Sequence, residues 1–282
     1  MVKIGIVDYF IDEWHSNTYL GLFDEAFKEM NLDYQISYGW AEMDRFENRL
    51  STKEWCDKNN ITVCDTIEEL CEKSDRILIL APANPETHLR FVEKVFPFGK
   101  PTYVDKTFAP DYATAKKIME LSKKYNTPFF TTSALRYASE INEFIGTKKV
   151  SIDGGGRLLD EYVIHQLEML VKTIGTGAEK LRLTNTEKET VIKIAYSDER
   201  SATLHYNPDY PFIYRGEKNG EMVEVEPASD YFKVLICKIL TFFETGEVDF
   251  KMEETAEVMK LREKVITAKE TPNTWLEVDF AK

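Results

Sequence analysis

The first 133 residues alternate short apolar strand signals with helix signals, and this alternation restricts the fold more than any other feature of the chain. Residues 76–81 form a continuous apolar run, which is typical of a central parallel strand covered on both faces. Helices between parallel strands form right-handed βαβ crossovers, so the pattern predicts a Rossmann-like, doubly wound α/β domain. The predicted strands are residues 3–7, 32–38, 61–64, 76–81, 102–105 and 128–132.

Helix starts between these strands are marked by capping residues. Thr66 begins a capping box, because a glutamate follows it three residues later. Asn84 precedes a proline, which favours the first position of a helix. Asp111 is a further N-cap, and we expect its helix to run to about residue 125.

The second half of the chain has a different pattern. Runs of strands next to runs of helices predict an α+β domain, here with a mainly antiparallel open sheet. The alternating strand segments are 180–186, 190–196 and 202–206, and the helical segments are 160–174, 229–244 and 253–269. We therefore expect a dinucleotide-binding-type domain at 1–133 and a substrate and oligomerisation domain at 134–282.

The charge balance limits the partners of the chain. Lys plus Arg is 36 and Asp plus Glu is 49, so the formal charge is −13, which disfavours nucleic acid. No apolar run reaches the roughly 18 to 20 residues that span a membrane, and the N-terminus has no signal-peptide layout, so we expect a cytoplasmic protein without a membrane partner. The four cysteines form no CxxC pair, which favours buried free thiols over a metal or redox site.

Ligands of doubly wound sheets bind at the carboxyl ends of the strands. The loops after the first, fourth and fifth predicted strands are therefore the candidate cofactor-binding segments. Their candidate residues are Val7, Asp8, Tyr9, Phe10, Ala81, Pro82, Asn84, His88, Asp105 and Lys106.

Three motifs follow one another along the chain: APANPETH at 81–88, GKPTYVDKT at 99–107 and EYVIHQLE at 161–168. In their order and spacing they resemble the glucose–fructose oxidoreductase and inositol dehydrogenase family (Gfo/Idh/MocA). That family carries an A/T-P-N strand end before a helix with histidine, then G-K-x-V-x-x-E-K-P, then D-x-G-x-H-x-x-D. The resemblance implies an NAD- or NADP-dependent oxidoreductase, which transfers hydride between the nicotinamide and a sugar or polyol hydroxyl or ketone.

The resemblance also assigns catalytic residues. Lys106 matches the family's active-site lysine, which can hydrogen-bond a substrate hydroxyl and polarise the reacting C–O bond. Considered alone, Lys106 is better explained as a surface lysine at a strand end, and it is the flanking pattern that favours the functional role. His165 matches the helix histidine, a candidate acid/base for the hydroxyl proton. The family's catalytic aspartate position holds Glu161, with Asp160 one residue away.

Other polar residues near these motifs have two interpretations. Glu161, His165 and Glu168 fall on one face of a helix, which could line a cleft or be solvated. The resemblance places His88 near the nicotinamide pocket, but a packing or capping role fits it as well. His15 could line a pocket mouth or be packed.

The chain departs from a dinucleotide-binding sequence after its first strand. No glycine occurs between Gly5 and Gly21, where a G-x-G-x-x-G turn is expected. Residues 8–13 instead hold three carboxylates and two aromatic rings, which would block a diphosphate and repel it by on the order of 1 kcal/mol per close charge. The second strand also lacks an acid at its end, since the first one after it is Glu42.

These departures leave three functional hypotheses. The first is the NAD(P)-dependent oxidoreductase, with a sugar-like small molecule as its substrate. The second is a non-catalytic or regulatory ligand-binding protein with lost or altered dinucleotide binding. The third is a non-redox activity, such as a lyase or hydrolase, in the same cleft. In each case the strands between 180 and 206 could pair between subunits, so we expect a homodimer or a higher homo-oligomer.

Overall fold

The computed structural model describes residues 1–279 and divides by its contacts into two compact units. The first unit contains Met1–Thr132 together with Phe232–Asp249. The second contains Ser133–Tyr231 and residues 250–279. The sequence-based division set its boundary after residue 133 and left the later segment Phe232–Asp249 in the second domain, and those domain assignments stay predictions.

The first unit is built on a six-stranded parallel sheet. The strands are β1 (Val2–Asp8), β2 (Tyr34–Ala41), β3 (Thr62–Val63), β4 (Arg76–Ile79), β5 (Thr102–Val104) and β6 (Phe129–Phe130). They lie in the order β3-β2-β1-β4-β5-β6, so successive strands are added on one side of β1 and then on the other, as in a doubly wound dinucleotide fold. The predicted α/β class and the six predicted strands are confirmed.

Five helices connect these strands: α1 (Trp14–Glu29), α2 (Thr52–Lys58), α3 (Ile67–Lys73), α4 (Pro85–Val95) and α5 (Tyr112–Tyr125). The caps predicted at Thr66 and Asp111 are present, since their side chains accept the backbone N–H groups of Glu69 and Thr114. Asn84 precedes α4 as predicted, but its side chain donates to the carboxylate of Glu86 and makes no cap bond.

The second unit contains a seven-stranded sheet, whose strands are β7 (Lys149–Gly154), β8 (Ala178–Asn185), β9 (Thr190–Tyr196), β10 (Ser201–Tyr206), β11 (Ile213–Lys218), β12 (Glu221–Val225) and β13 (Leu276–Glu277). They lie in the order β12-β11-β7-β10-β9-β8-β13. Among the described residues only β7 and β10 pair in parallel, so the predicted mainly antiparallel sheet is confirmed.

The hairpin of β11 and β12 is a structure that the sequence analysis missed. Asn219 and Gly220 connect the two strands, both with positive φ (55° and 85°). Asn-Gly is the preferred pair for a two-residue hairpin turn, because both residues tolerate the left-handed region. The dipeptide was therefore the signal that would have located this hairpin.

Three helices complete the fold: α6 (Leu159–Ile174), α7 (Tyr231–Thr245) and α8 (Met252–Ala268). α6 packs against α8 in the second unit. α7 belongs with the first unit from Phe232 onward, where the ring of Phe242 lies 5.8 Å from that of Phe130 and Arg76 Nε donates to the carbonyl of Phe243. Within residues 1–279, no helix combines the length and the hydropathy that a membrane span requires.

Candidate functional site

Asp8, the last residue of β1, connects three elements of the first unit. Its Oδ1 accepts the backbone N–H groups of Tyr9 (2.7 Å) and Ala81 (3.1 Å), and its Oδ2 accepts the Ser16 hydroxyl (2.9 Å). The side chain is buried. Burial first, and the charge of Glu13 second, raise the pKa of Asp8 well above its ordinary value, although its hydrogen bonds act to lower it. Asp8 is thus a structural connection rather than a residue free for a ligand.

Glu13 caps α1 with its own carboxylate. Oε2 accepts the backbone N–H of His15 at 2.7 Å, and Oε1 accepts that of Ser16. The side chain is buried, and burial raises its pKa despite these bonds. The N–H groups that a dinucleotide fold offers to a diphosphate are therefore already bonded to an internal anion.

The loop between Asp8 and α1 is packed against residues 42–50. The ring of Phe10 stacks on that of Phe46 at 4.6 Å, and the carbonyl of Tyr9 accepts the N–H of Met43 at 2.7 Å. Asp12 Oδ2 accepts the N–H of Leu50 at 2.8 Å. Side chains of the chain itself thus occupy the space that a glycine-rich turn would leave open.

Glu42, the first acid after β2, is also engaged. Both of its carboxylate oxygens bind the guanidinium of Arg90, each at 2.8 Å. A ribose would have to compete with this bidentate pair. The turn after β1 and the acid after β2 therefore do not fit a dinucleotide held in the usual way, which agrees with the two departures in the sequence.

Asp105, directly after β5, is a fully buried carboxylate. It accepts the Tyr103 hydroxyl at 2.9 Å and hydrogen-bonds Nδ1 of His15. Burial acts to raise the pKa of Asp105, but the charge and hydrogen bond of His15, with the charge of Lys106, hold it below its ordinary value. Because it faces the interior, Asp105 acts on a ligand only through its neighbours.

Lys106 lies half-buried at the end of β5, as the sequence predicts. Its Nζ is 3.4 Å from the carbonyl oxygen of Pro82, in the loop after β4. The flexible ammonium is held by this one long contact among the hydrogen bonds of residues 1–279. Of the candidate residues in this unit, Lys106 is the one with a cationic donor placed at the carboxyl edge of the sheet.

His88 is fully buried, which argues against direct contact between its side chain and a ligand. Its Nδ1 lies 3.0 Å from the carbonyl oxygen of Phe108, and its Nε2 lies 2.9 Å from that of Leu80. Burial lowers the pKa of His88, although the two carbonyls oppose this shift. The packing interpretation of His88 is therefore the one that its contacts support.

The other candidates in these loops act through the backbone. Val7 is buried, and its carbonyl accepts the N–H of Leu80 at 2.9 Å. Ala81 has a φ of 44°, in the left-handed region, and its N–H is held by Asp8. Such a conformation costs a non-glycine residue about 1 kcal/mol, which the bond to Asp8 helps to offset.

In the second unit, His165 on α6 pairs with Ser133. Ser133 Oγ lies 2.6 Å from Nδ1 of His165, and it also accepts the N–H of Leu135 at 3.3 Å. The imidazole lies between the rings of Tyr162 and Phe212, at centroid distances of 5.7 and 5.6 Å. The hydroxyl and the two rings fix the orientation of the imidazole, as an acid/base residue requires.

Glu168, one α6 turn further along, is buried rather than solvated. It accepts the N–H of Ser133 at 3.4 Å and pairs with Arg136 at 3.1 Å. Arg136 also pairs with Glu254, and its guanidinium lies 4.0 Å from the ring centroid of Phe250. This cluster contacts Ser133 through Glu168. Nothing in the sequence indicated the roles of Ser133 and Arg136.

Neither carboxylate at the start of α6 is hydrogen-bonded to His165 among the bonds of residues 1–279. Glu161 pairs with Arg157, which lies just before α6, at 2.6 Å. Asp160 binds Nζ of Lys269 with both oxygens at 2.8 Å. Each carboxylate is therefore already paired with a cation, and Ser133 holds the position next to Nδ1 of His165.

Metal and thiol chemistry receive no support from the arrangement of side chains. Within residues 1–279, no group of three His, Cys, Asp or Glu side chains is placed to hold a metal ion. The cysteines are free thiols, with Cys56, Cys64 and Cys71 buried and Cys237 half-buried. Burial raises the pKa of Cys56 to about 12, which makes it a poor nucleophile.

No protein-family model matches this chain, and no curated protein sequence matches it. Solved structures do. myo-Inositol dehydrogenase of Lactobacillus casei, in complex with NAD(H) and myo-inositol, covers 100% of this chain and 98% of its own at 8% identity, with a TM-score of 0.78. An NAD binding oxidoreductase of Klebsiella pneumoniae covers 99% of each chain at 9% identity, with a TM-score of 0.76.

A third neighbour is UDP-N-acetylglucosamine 3-dehydrogenase of Acidithiobacillus ferrooxidans, with a TM-score of 0.76 at 12% identity over 94% of this chain and 97% of its own. The similarity covers nearly the whole of each chain, so both units are included. At these identities it shows the fold. The fold is that of dehydrogenases such as inositol dehydrogenase, and the predicted resemblance is therefore confirmed at the level of fold.

Proposed function

We propose that this protein is an oxidoreductase of the nicotinamide-dependent class that acts on a hydroxyl or ketone of a sugar or polyol. The observation that carries the proposal is Lys106, placed at the carboxyl end of β5 in a fold shared with sugar and polyol dehydrogenases. Fold alone does not assign a reaction, so the side-chain roles below are part of the proposal.

Lys106 is proposed to bind the reacting hydroxyl of the substrate. Its ammonium can donate to the hydroxyl oxygen, which favours the developing negative charge when the O–H proton leaves. Nζ has one long contact, to the carbonyl of Pro82, so a substrate oxygen can replace that contact at small cost. An arginine would be longer and planar, and it would not reproduce this geometry.

His165 is proposed to accept the hydroxyl proton. The imidazole is fixed by Ser133 and by two aromatic rings, and a neutral imidazole has one nitrogen that can accept a proton. Glu161 remains the counterpart of the family's carboxylate by position only, since its partner is Arg157.

The cofactor is the part of the proposal that the first unit supports least. NAD or NADP would have to bind although α1 is capped by Glu13 and Glu42 is paired with Arg90. This observation favours, as a second candidate, a ligand-binding protein on the same fold with lost or altered dinucleotide binding. The dehydrogenase fold over the whole chain favours the first candidate.

A titration of the purified protein with NADH and NADPH, followed by nicotinamide fluorescence, separates the two candidates. Saturable binding of either nucleotide supports the oxidoreductase, and oxidation of a polyol such as myo-inositol would then define its substrate class. Absence of binding at millimolar nucleotide rejects the oxidoreductase and leaves the ligand-binding protein.

The remaining partner predictions are also proposals. A homodimer or higher homo-oligomer through the second-unit sheet is testable by light scattering coupled to size-exclusion chromatography. The cytoplasmic location that the sequence predicts stays a prediction, and labelling of the protein in its own cell would check it.

A further inference from the structure

Tyr162 lies next to the proposed proton acceptor on α6, and the proposed function uses only its ring. The ring centroid of Tyr162 is 5.7 Å from that of His165, at an interplanar angle of 59°. The two residues are three positions apart, a spacing that makes side chains neighbours on the surface of a helix. A polyol that gives one hydroxyl proton to His165 therefore lies against this part of α6, with its other hydroxyls within reach of the Tyr162 side chain.

The hydroxyl of Tyr162 is available to a ligand. Within residues 1–279 it has no hydrogen-bond partner, although the side chain is half-buried. Buried tyrosine oxygens without a partner occur at Tyr196 and Tyr214, but the Tyr162 oxygen is not one of them, so solvent reaches it. A phenol hydroxyl can donate one hydrogen bond and accept another. A polyol hydroxyl can thus replace water at Tyr162 without breaking a hydrogen bond of the protein.

The triple glycine at residues 154–156, between β7 and α6, fixes the position of the Tyr162 ring. A Cβ at Gly156 would overlap this ring, and the φ of Gly156 is 129°, which disfavours a side chain in any case. Gly156 is itself held, because its N–H donates to the carbonyl of Pro208 at 3.0 Å and its carbonyl accepts the Tyr206 hydroxyl at 2.7 Å. The hydroxyl of Tyr162 is therefore preorganised, which lowers the entropy cost of binding a ligand.

Phe212 also packs against His165, but it carries no polar side-chain atom. Its ring centroid is 5.6 Å from that of the imidazole, with an interplanar angle of 79°. A Cβ at Gly154 would lie 2.8 Å from Cε1 of Phe212, so the first glycine of the triplet makes room for Phe212 as the third does for Tyr162. Of these two rings, only that of Tyr162 can hydrogen-bond a substrate hydroxyl.

We propose that Tyr162 is a specificity-determining residue, whose hydroxyl hydrogen-bonds a second hydroxyl of the polyol that gives its first hydroxyl proton to His165. A positioned hydroxyl favours a ligand that carries the matching group over one that lacks it. The substrate class is thereby narrowed to molecules with at least two hydroxyls, and simple alcohols are disfavoured. The inference rests on the proposed function for the role of His165 and for the polyol.

Binding of polyols to the full chain tests this role, with and without NADH. Saturation-transfer NMR gives the dissociation constants of myo-inositol, D-glucose and D-sorbitol. Tyr162→Phe removes only the hydroxyl, and it should weaken the tightest of the three by about fivefold to tenfold, as expected for one neutral hydrogen bond. Tyr210→Phe is the matched control: it removes another half-buried tyrosine hydroxyl of the second unit, one that interacts with Glu189, and should leave the affinity unchanged. Circular dichroism establishes that both variants are folded.

Monodeoxy analogues of the tightest ligand separate a hydrogen bond to the substrate from a general change of the site. The analogue that lacks the hydroxyl bound by Tyr162 should have the same affinity for the wild type and for Tyr162→Phe. The other analogues should keep the fivefold to tenfold difference that the parent ligand shows, as a double-mutant cycle requires for a direct contact. A purely structural effect of the substitution would weaken every analogue by the same factor.

Three results would overturn the inference: none of the three polyols binding in either condition, Tyr162→Phe binding like the wild type, or an equal loss for every analogue. Failure of the proposed function looks different. It consists of absent nucleotide binding, while the polyol still binds and its affinity still depends on the Tyr162 hydroxyl.

Discussion

One carboxylate oxygen of Glu13 accepts the backbone N–H of Ser16 in the first turn of α1, and the other accepts the backbone N–H of His15. In dinucleotide folds these N–H groups are the site of the diphosphate, because the positive end of the helix dipole lies there. Here the chain supplies the anion itself. A dinucleotide and Glu13 therefore compete for the same donors, and this competition can be measured.

Glu13→Ser should strengthen the binding of NADH by about tenfold, equivalent to about 1.4 kcal/mol. A serine keeps an N-cap oxygen for the helix but removes the charge that repels and excludes a diphosphate. Fluorescence titration with NADH gives the two dissociation constants. Glu13→Asp is the control, since it retains the charge and should bind no better than the wild type. Equal affinity of Glu13→Ser and wild type would mean that any diphosphate binds away from α1.

Asp8→Asn should make the stability of the folded protein decrease less as pH rises. The folded-state pKa of Asp8 is raised by burial and then by Glu13, so the folded state binds the proton more tightly than the unfolded state. The contribution of Asp8 to stability is then complete below the ordinary carboxyl pKa of about 4 and is lost as pH rises through the raised value. Asparagine does not titrate, so this loss disappears.

Melting temperatures of wild type and Asp8→Asn between acidic and neutral pH measure this difference. The amide oxygen can still accept the N–H groups of Tyr9 and Ala81, while the amide nitrogen can donate to Ser16. Asp105 has a lowered pKa, so its contribution to stability increases as pH rises. Because Asp105 is present in both proteins, this contribution cancels in the comparison. Parallel pH profiles for the two proteins would contradict the raised pKa of Asp8.

Lys106→Ala should lower the turnover number for polyol oxidation by roughly a hundredfold or more and leave the affinity for the nucleotide nearly unchanged. Within residues 1–279 the ammonium has no hydrogen-bond partner other than the carbonyl of Pro82, so its loss should not unfold the unit. Steady-state kinetics and a nucleotide titration measure the two effects separately. Lys106→Arg should recover little activity, and retention of full activity by either variant would remove Lys106 from the reaction.

Arg136→Met should destabilise the protein by about 3 to 5 kcal/mol, because it leaves the buried carboxylate of Glu168 and that of Glu254 without their cation. Urea denaturation gives the free energy of unfolding. Arg215→Met is the matched control: Arg215 also binds two carboxylates, but it is more exposed, and its loss should cost about 1 kcal/mol or less. Similar losses for both variants would show that burial of Arg136 does not matter.

Ser133→Ala should reduce turnover less than His165→Ala does, and it should shift the pH at which the rate falls. The hydroxyl orients the imidazole at Nδ1, whereas the imidazole itself is proposed to carry the proton. The pH dependence of kcat/KM for both variants distinguishes orientation from proton transfer. A Ser133→Ala profile that overlays the wild type would make the hydroxyl irrelevant to the reaction.

Local sequence pattern was sufficient to predict the helices and strands and part of the candidate site. The apolar run at residues 76–81, the caps at Thr66 and Asp111 and the helical face of α6 each depend on neighbours a few residues away, which the sequence displays directly. Lys106 at a strand end followed from the same pattern, since the carboxyl ends of parallel strands share one edge. The absence of a glycine-rich turn after the first strand was equally visible in the sequence.

The roles of the residues in that turn depended on the tertiary structure. Asp105 and His15 meet because the order β1-β4-β5 brings distant strand ends together, and nothing local in the sequence encodes that pairing. The same holds for Ser133 beside His165 and for His88 enclosed between two carbonyls. The sequence alone determined that a glycine-rich phosphate-binding turn is absent. Only the tertiary structure decided what replaces it, because the Glu13 carboxylate accepts the backbone N–H groups at the start of α1 that a phosphate would otherwise bind.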